Sequence, residues 1–188
     1  MPALKLAAFQ LSSSLGLSLD VSNVGVVPGI DLLHLFTEQD FNQHFAWFPS
    51  AVTFFPLGES GAYWVEVFLS DSYEIERKAD FAVLLPFIVA VDDAIQVGGS
   101  DDRDETRIVR GIAKGYYKLL YQDRYLTQSE IDEISVALPK AQPEREPLLS
   151  LGPKYCKLTL VPALTKATPE LLKAPDKRTI KLPLILHD

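Results

Sequence analysis

The sequence predicts a mainly β fold, an antiparallel β-sandwich with one to three short helices, and three observations carry that expectation. Apolar and polar residues alternate with period two through much of the chain, the spacing of a half-buried strand. One longer segment, 81–91, is apolar throughout and interrupted only by Pro86, as in a strand covered on both faces. Turn residues separate many short segments, whereas helical signals are few.

In chain order, Leu15, Leu17, Leu19 and Val21 alternate with Gly16, Ser18, Asp20 and Ser22, which puts one face in the core and the other in water. Thr37 and Glu38, followed by Phe41, Phe45 and Phe48 at helix-like spacing, predict a short capped helix. Over 62–70, Tyr63, Val65, Val67 and Leu69 point one way, with Trp64, Glu66 and Phe68 on the other side. In 81–91, Pro86 cannot donate to a ladder, so it implies a bulge or an edge. Segments 94–97 and 106–112 read as short strands, Gly115 introduces another at 116–121, and 155–161 supplies one more. A second helix is expected over 127–137. There Thr127 and Glu130 match a capping box, and Ile131, Ile134 and Ala137 recur on one face. A third begins at Pro169 and runs to about Lys173.

A chain of 188 residues suits a single domain over 1–188, and one of this size buries about 70% of the surface it exposes when unfolded. Hydrophobic residues make up 47% and charged residues 23%, a globular rather than a disordered balance. Flexibility is expected in the proline-punctuated stretch 141–153 and in the tail from Thr168. Cys156 is the one cysteine, which excludes an intramolecular disulfide and points to a reducing compartment. The apolar run 6–9 stops at Gln10, too early for a signal peptide, and 81–91 falls far short of the roughly 20 residues that span a bilayer. A cytoplasmic protein with no membrane span is the expectation. A net charge of −7 argues against direct nucleic-acid binding, which draws on Lys and Arg against phosphate.

Catalytic and cofactor motifs do not emerge. His34, His44 and His187 sit at no metal-ligand spacing from one another or from Cys156. Cys156, inside a predicted strand, reads as a small buried thiol rather than a nucleophile. No nucleophile elbow is present, and Gly98-Gly99 is followed by acids, which repel phosphate. Asp92-Asp93 and the acids of 101–105 could supply paired carboxylates for glycoside hydrolysis, but adjacent acids are ordinary in solvated turns. No catalytic residue, metal site or cofactor is assigned.

Charge is the uneven feature. Residues 71–105 hold ten acids against three bases, a net −7 that equals the charge of the whole chain. The stretch 154–181 goes the other way, seven bases against two acids. Three readings compete: solvated turns that keep strand edges unsticky, a negative patch that docks on a basic partner, and a calcium site. The second singles out Asp92, Asp93, Asp101, Asp102, Asp104 and Glu105 as binding residues. Trp47, Phe48, Tyr63, Trp64 and Tyr73 would add anchors where exposed, with Trp64 and Phe48 expected in the core.

The segments Phe45-Ala46-Trp47-Phe48-Pro49, Ala51-Val52-Thr53-Phe54 and Tyr63-Trp64-Val65-Glu66-Val67 occur in that order. Glu76-Arg77-Lys78-Ala79, Leu85-Pro86-Phe87-Ile88-Val89 and Ala94-Ile95-Gln96-Val97-Gly98-Gly99-Ser100 follow, then Ile112-Ala113-Lys114-Gly115-Tyr116-Tyr117. Together these resemble the bacterial competence protein J family over about 41–121. The polar insertion 101–106 is longer and more acidic than the family pattern. The resemblance implies an inhibitory protein, since the family's named member inhibits a DNA-entry nuclease, and it carries over no residue role. The expected function is a non-enzymatic protein-binding module, an inhibitor or immunity-type partner of a nuclease or other basic protein. Alternatives left open are a small-molecule- or calcium-binding β-sandwich, an enzyme with a dispersed site, and self-association through an apolar strand face.

Overall fold

Two sheets of unequal size face each other across one apolar core in this computed structural model, which describes residues 2–13, 19–25, 35–55, 61–99, 106–137, 154–174, 180, 183–184 and 186–187. The larger sheet has the order β1-β5-β10-β9-β6-β11. Its strands are β1 (Leu4–Ser13), β5 (Gly61–Leu69), β6 (Phe81–Val89), β9 (Gly115–Tyr125), β10 (Lys154–Ala163) and β11 (Glu170–Lys173). The smaller sheet has the order β3-β4-β2-β7-β8. It is built from β2 (Leu19–Asn23), β3 (Phe45–Phe48), β4 (Ala51–Phe54), β7 (Ala94–Gly99) and β8 (Arg107–Arg110). Pairing is antiparallel except between β5 and β10, the second and third strands of the larger sheet, which run parallel.

The alternation read in 62–70 holds in β5: Tyr63, Val65 and Val67 are buried, while Trp64, Glu66 and Phe68 stand half-buried on the outer face. Val65, Val67, Leu119, Leu158 and Leu160 from the larger sheet meet Leu19, Val21, Val52, Phe54, Ile95 and Val97 from the smaller one in a single cluster. The Phe54 ring stacks on Tyr121 at 4.0 Å between centroids, and Trp47 Nε1 donates to the Pro86 carbonyl, so specific contacts bridge the two layers.

Pro86 resolves to the edge alternative. The β6–β9 register runs through Pro86↔Lys118 without a slip. On the other side, β11 pairs with β6 only over Ala82, Val83 and Leu84, so from Pro86 onward no strand among the described residues lies there to need its missing N–H.

Four expectations are corrected. Asp20 and Ser22, expected in water, are buried, so β2 is covered on both faces. Thr53 Oγ1 donates to Asp20 Oδ1 (2.7 Å) and Gln96 Nε2 to Ser22 Oγ (2.9 Å), which lets the polar residues sit inside. Leu15 and Leu17 lie outside the described residues. Helix α1 (Glu38–Gln43) stops before Phe45 and Phe48, because His44 takes a left-handed conformation (φ 69°) and the next four residues pair with β4 as β3. Phe48 and Trp64 are half-buried rather than core. Residues 170–173, expected as helix, form β11, since the open side of β6 offers a ladder that outweighs a weak local preference. Helix α2 (Gln128–Ala137) follows its capping box: Thr127 N–H donates to Glu130 Oε2 (2.8 Å) and Glu130 N–H returns to Thr127 Oγ1 (3.4 Å). The strand β1 carries no clean alternation and is not anticipated by the sequence. The stretch 141–153 lies outside the described residues, as does part of the tail from Thr168.

Candidate functional site

Asp92 and Asp93 form the turn that carries the chain from β6 in one sheet to β7 in the other. Both have left-handed backbone, with φ of 58° and 46°, a conformation Asp tolerates better than most residues because its short side chain bonds locally. Asp93 is committed to the fold. Its carbonyl accepts from Gly111 and Ile112 N–H (3.1 Å each) and its Oδ1 from Lys114 N–H (3.0 Å), which pins the connection between β8 and β9. Asp92 is exposed beside it. Asp101, Asp102, Asp104 and Glu105 lie outside the described residues. The chain leaves β7 at Gly99 and is described again from Thr106; Ala94 and Gly99, at the two ends of β7, stand about 17 Å apart.

The other acids of the segment precede β6. Asp71 and Glu74 are exposed, Glu76 and Asp80 half-buried. The nine residues of β6 place its ends about 27 Å apart. The described acids therefore do not form one cluster: Asp80 adjoins the start of β6, Asp92 and Asp93 follow its end, and Asp71 lies beyond β5, next to Ser70, whose N–H donates to the Leu160 carbonyl. Among the aromatic anchors, Tyr73 is exposed, Trp64 and Phe48 are half-buried, and Trp47 and Tyr63 are buried.

A second built surface covers the outer face of the larger sheet, where the polar side of β5 meets β10 and β9. Glu66 accepts from Lys5 Nζ (2.6 Å) and from the Tyr155 hydroxyl (2.9 Å). The Arg124 guanidinium lies over the Tyr155 ring at 4.5 Å and donates both terminal nitrogens to Glu130 of α2 (2.8 and 2.9 Å). Glu76 closes the network with Lys157 (2.8 Å) and Arg124 Nε (3.5 Å), while Gln122 grips the same segment by accepting from Glu76 N–H and donating to the Glu74 carbonyl. The Arg124 hydrogen bond holds the Glu130 carboxyl down to about 2; burial, then the Glu66 charge, pushes the Tyr155 phenol up. The residues of this face were visible as the polar half of an alternating strand. Their assembly depends on register between segments some 90 residues apart, for which no local signal exists.

Inside the sandwich, Tyr121 donates to Asp123 Oδ2 (2.9 Å) and lies 3.6 Å from Cys156 Sγ. Burial, then Asp123, pushes the Cys156 thiol up to about 12, which leaves it protonated and unreactive, in keeping with a buried thiol. His44 is buried, His187 pairs with Asp40, and His34 lies outside the described residues. Among the described residues no group of three or more His, Cys, Asp or Glu side chains is placed to hold a metal, and no helix is long and apolar enough to cross a membrane. The arrangement offers surfaces of fixed charge and half-exposed aromatics, the ingredients of protein recognition.

Residues 27–140 match the sequence profile of the family described as Competence protein J (ComJ), a wider span than the 41–121 over which the resemblance was read. Among solved structures, ComJ from Bacillus subtilis, described as an inhibitor of the DNA-degrading activity of NucA, is similar with a TM-score of 0.55 and 14% identity, covering 86% of this chain and 100% of that one. A protein described as crocagin biosynthetic gene J gives 0.49 and 16%, covering 86% and 99%. A comparison with curated proteins finds no match.

Proposed function

This chain belongs to the Competence protein J (ComJ) family, and we propose on that premise that it is a non-enzymatic binding protein of inhibitor type whose partner is a nuclease. The observation that carries the reading is the family match across 114 residues, from β2's neighbour segment through α2, with the same fold in a protein described as a nuclease inhibitor. The acid-rich segment 71–105 supports a partner with a basic surface. A nuclease cleft that binds phosphate is such a surface, and complementary charge speeds encounter and excludes wrong partners. A self-satisfied outer-face network and a thiol held protonated favour binding over chemistry.

The test is to immobilise the chain, capture partners from lysate of its native host, and assay the captured protein on duplex DNA with and without added chain. Loss of cleavage at stoichiometric chain supports the reading. A captured partner without nuclease activity, or one that cuts DNA equally well when saturated with the chain, overturns it.

A further inference from the structure

Strand β5 runs parallel to β10, β10 antiparallel to β9, and β9 antiparallel to β6, so β5 and β6 point the same way with two strands between them. The chain must cross a face of the sheet to pass from one to the other, a task usually given to a helix. Residues 70–80 cross without one, over the outer face, with a turn at 77–78. Gln122 on that face is buried beneath them.

A crossing with no ladder of its own draws partners for its backbone from elsewhere, and here they come along its whole length. Ser70 N–H donates to the Leu160 carbonyl (3.1 Å) and Ser72 N–H to Ser70 Oγ (3.4 Å). The Gln122 amide takes the Glu74 carbonyl (3.1 Å) and the Glu76 N–H (2.7 Å) together, and Lys157 holds the Glu76 carboxylate (2.8 Å). Lys173 of β11 donates to the Arg77 and Ala79 carbonyls, and Asp80 N–H donates to the Asp123 carbonyl (2.8 Å). Between these clamps Tyr73, Glu74 and Ile75 present exposed side chains. Two large apolar groups thus stand in water on a backbone that is already fixed, the condition under which an anchor loses least on binding. Arg77 and Lys78 follow in the turn, so 71–75 holds two acids and no base.

The geometry points to the crest at Tyr73, Glu74 and Ile75 as a docking surface, and to a positively charged cleft shaped for phosphate as what it enters. Glu74 brings the negative charge such a cleft attracts, while Tyr73 and Ile75 pack against its walls. Gln122, out of a partner's reach, is a positioning residue that holds the crest in shape. The choice of partner follows from complementary charge and rests on the nuclease reading above.

The test uses the full chain and the nuclease it captures from its native host, with affinity read by surface plasmon resonance and stability by thermal melt. Tyr73→Ala is expected to weaken binding about thirtyfold. Glu74→Lys should weaken it at least about tenfold and flatten the dependence of the association rate on ionic strength. Both side chains are exposed, so neither variant should move the melt. Gln122→Leu should speed hydrogen exchange of the Glu76 amide and weaken binding about tenfold without touching the partner. Tyr116→Ala, which removes an exposed tyrosine paired with the far end of β6, should leave affinity unchanged. If the native chain silences the nuclease but Tyr73→Ala and Glu74→Lys bind it undiminished, the docking assignment fails and the nuclease reading stands. Equal weakening by Tyr116→Ala overturns the assignment as well. A native chain that silences no nuclease of its host overturns both.

Discussion

Arg124 is the residue on which most of the outer face depends. Its side chain is 11% exposed, held bidentately by Glu130, stacked on Tyr155 and within reach of Glu76, so it ties α2 and the 70–80 connection to β9 and β10. Arg124→Ala should lower stability by about 1–3 kcal/mol in chemical denaturation, because it removes charge-assisted bonds and leaves Glu130 without its main partner. The pH dependence has a definite sign. Glu130 is depressed in the folded state from the ordinary value near 4.5 to about 2, so its contribution is present above that ordinary value and is lost as pH falls through about 2. Acid titration of the melting temperature should therefore be shallower between pH 4.5 and 2 in Glu130→Gln than in the native chain; parallel curves would show that the pair is idle. The sequence revealed half of this site. Thr127 and Glu130 announce a helix start by local spacing, whereas Arg124 meeting Tyr155 follows from the β9–β10 register and has no local trace.

At the scale of elements, strands with one wet face, such as β5, were legible because alternation is a local property, and so was the buried run of β6. What was not legible depends on neighbours. Residues 170–173 read as helix in isolation and became strand because β6 had an open side. The Phe41, Phe45 and Phe48 spacing read as one helix and was cut by the left-handed turn at His44. Pro86 offers a test of this edge logic. Its missing N–H faces no strand among the described residues, so Pro86→Val should change stability by no more than about 1 kcal/mol, measured by denaturant melt. A loss above about 3 kcal/mol would mean that the proline itself holds the strand in shape.

For the whole molecule, the alternation of apolar and polar residues indicated the fold class and the residue counts the charge imbalance, but neither says where the charge goes. Described acids stand at both ends of β6, and Asp93 spends its carboxylate on the fold, so a partner that senses this segment meets more than one group of charges. Reversing Asp101, Asp102 and Asp104 to Lys should slow association with a basic partner at least about tenfold at low salt, and flatten the dependence of that rate on ionic strength. The melt should stay within about 0.5 kcal/mol of the native chain. Stopped-flow or surface-plasmon rates at two salt concentrations decide it; unaltered rates would assign these acids to solubility alone.

The parallel strand pair inside the larger sheet has a consequence for how the chain is made. β10 is the seam between the antiparallel β1–β5 pair and the three-strand unit of β9, β6 and β11, and it emerges some 90 residues after β5. Until the ribosome has released residues 154–163, two long strands face each other across a gap, each with bare amides and carbonyls along its flank. Completion of the larger sheet is thus a late, long-loop event, slow by nature. A newly synthesised chain halted short of that point is the species most in need of a chaperone.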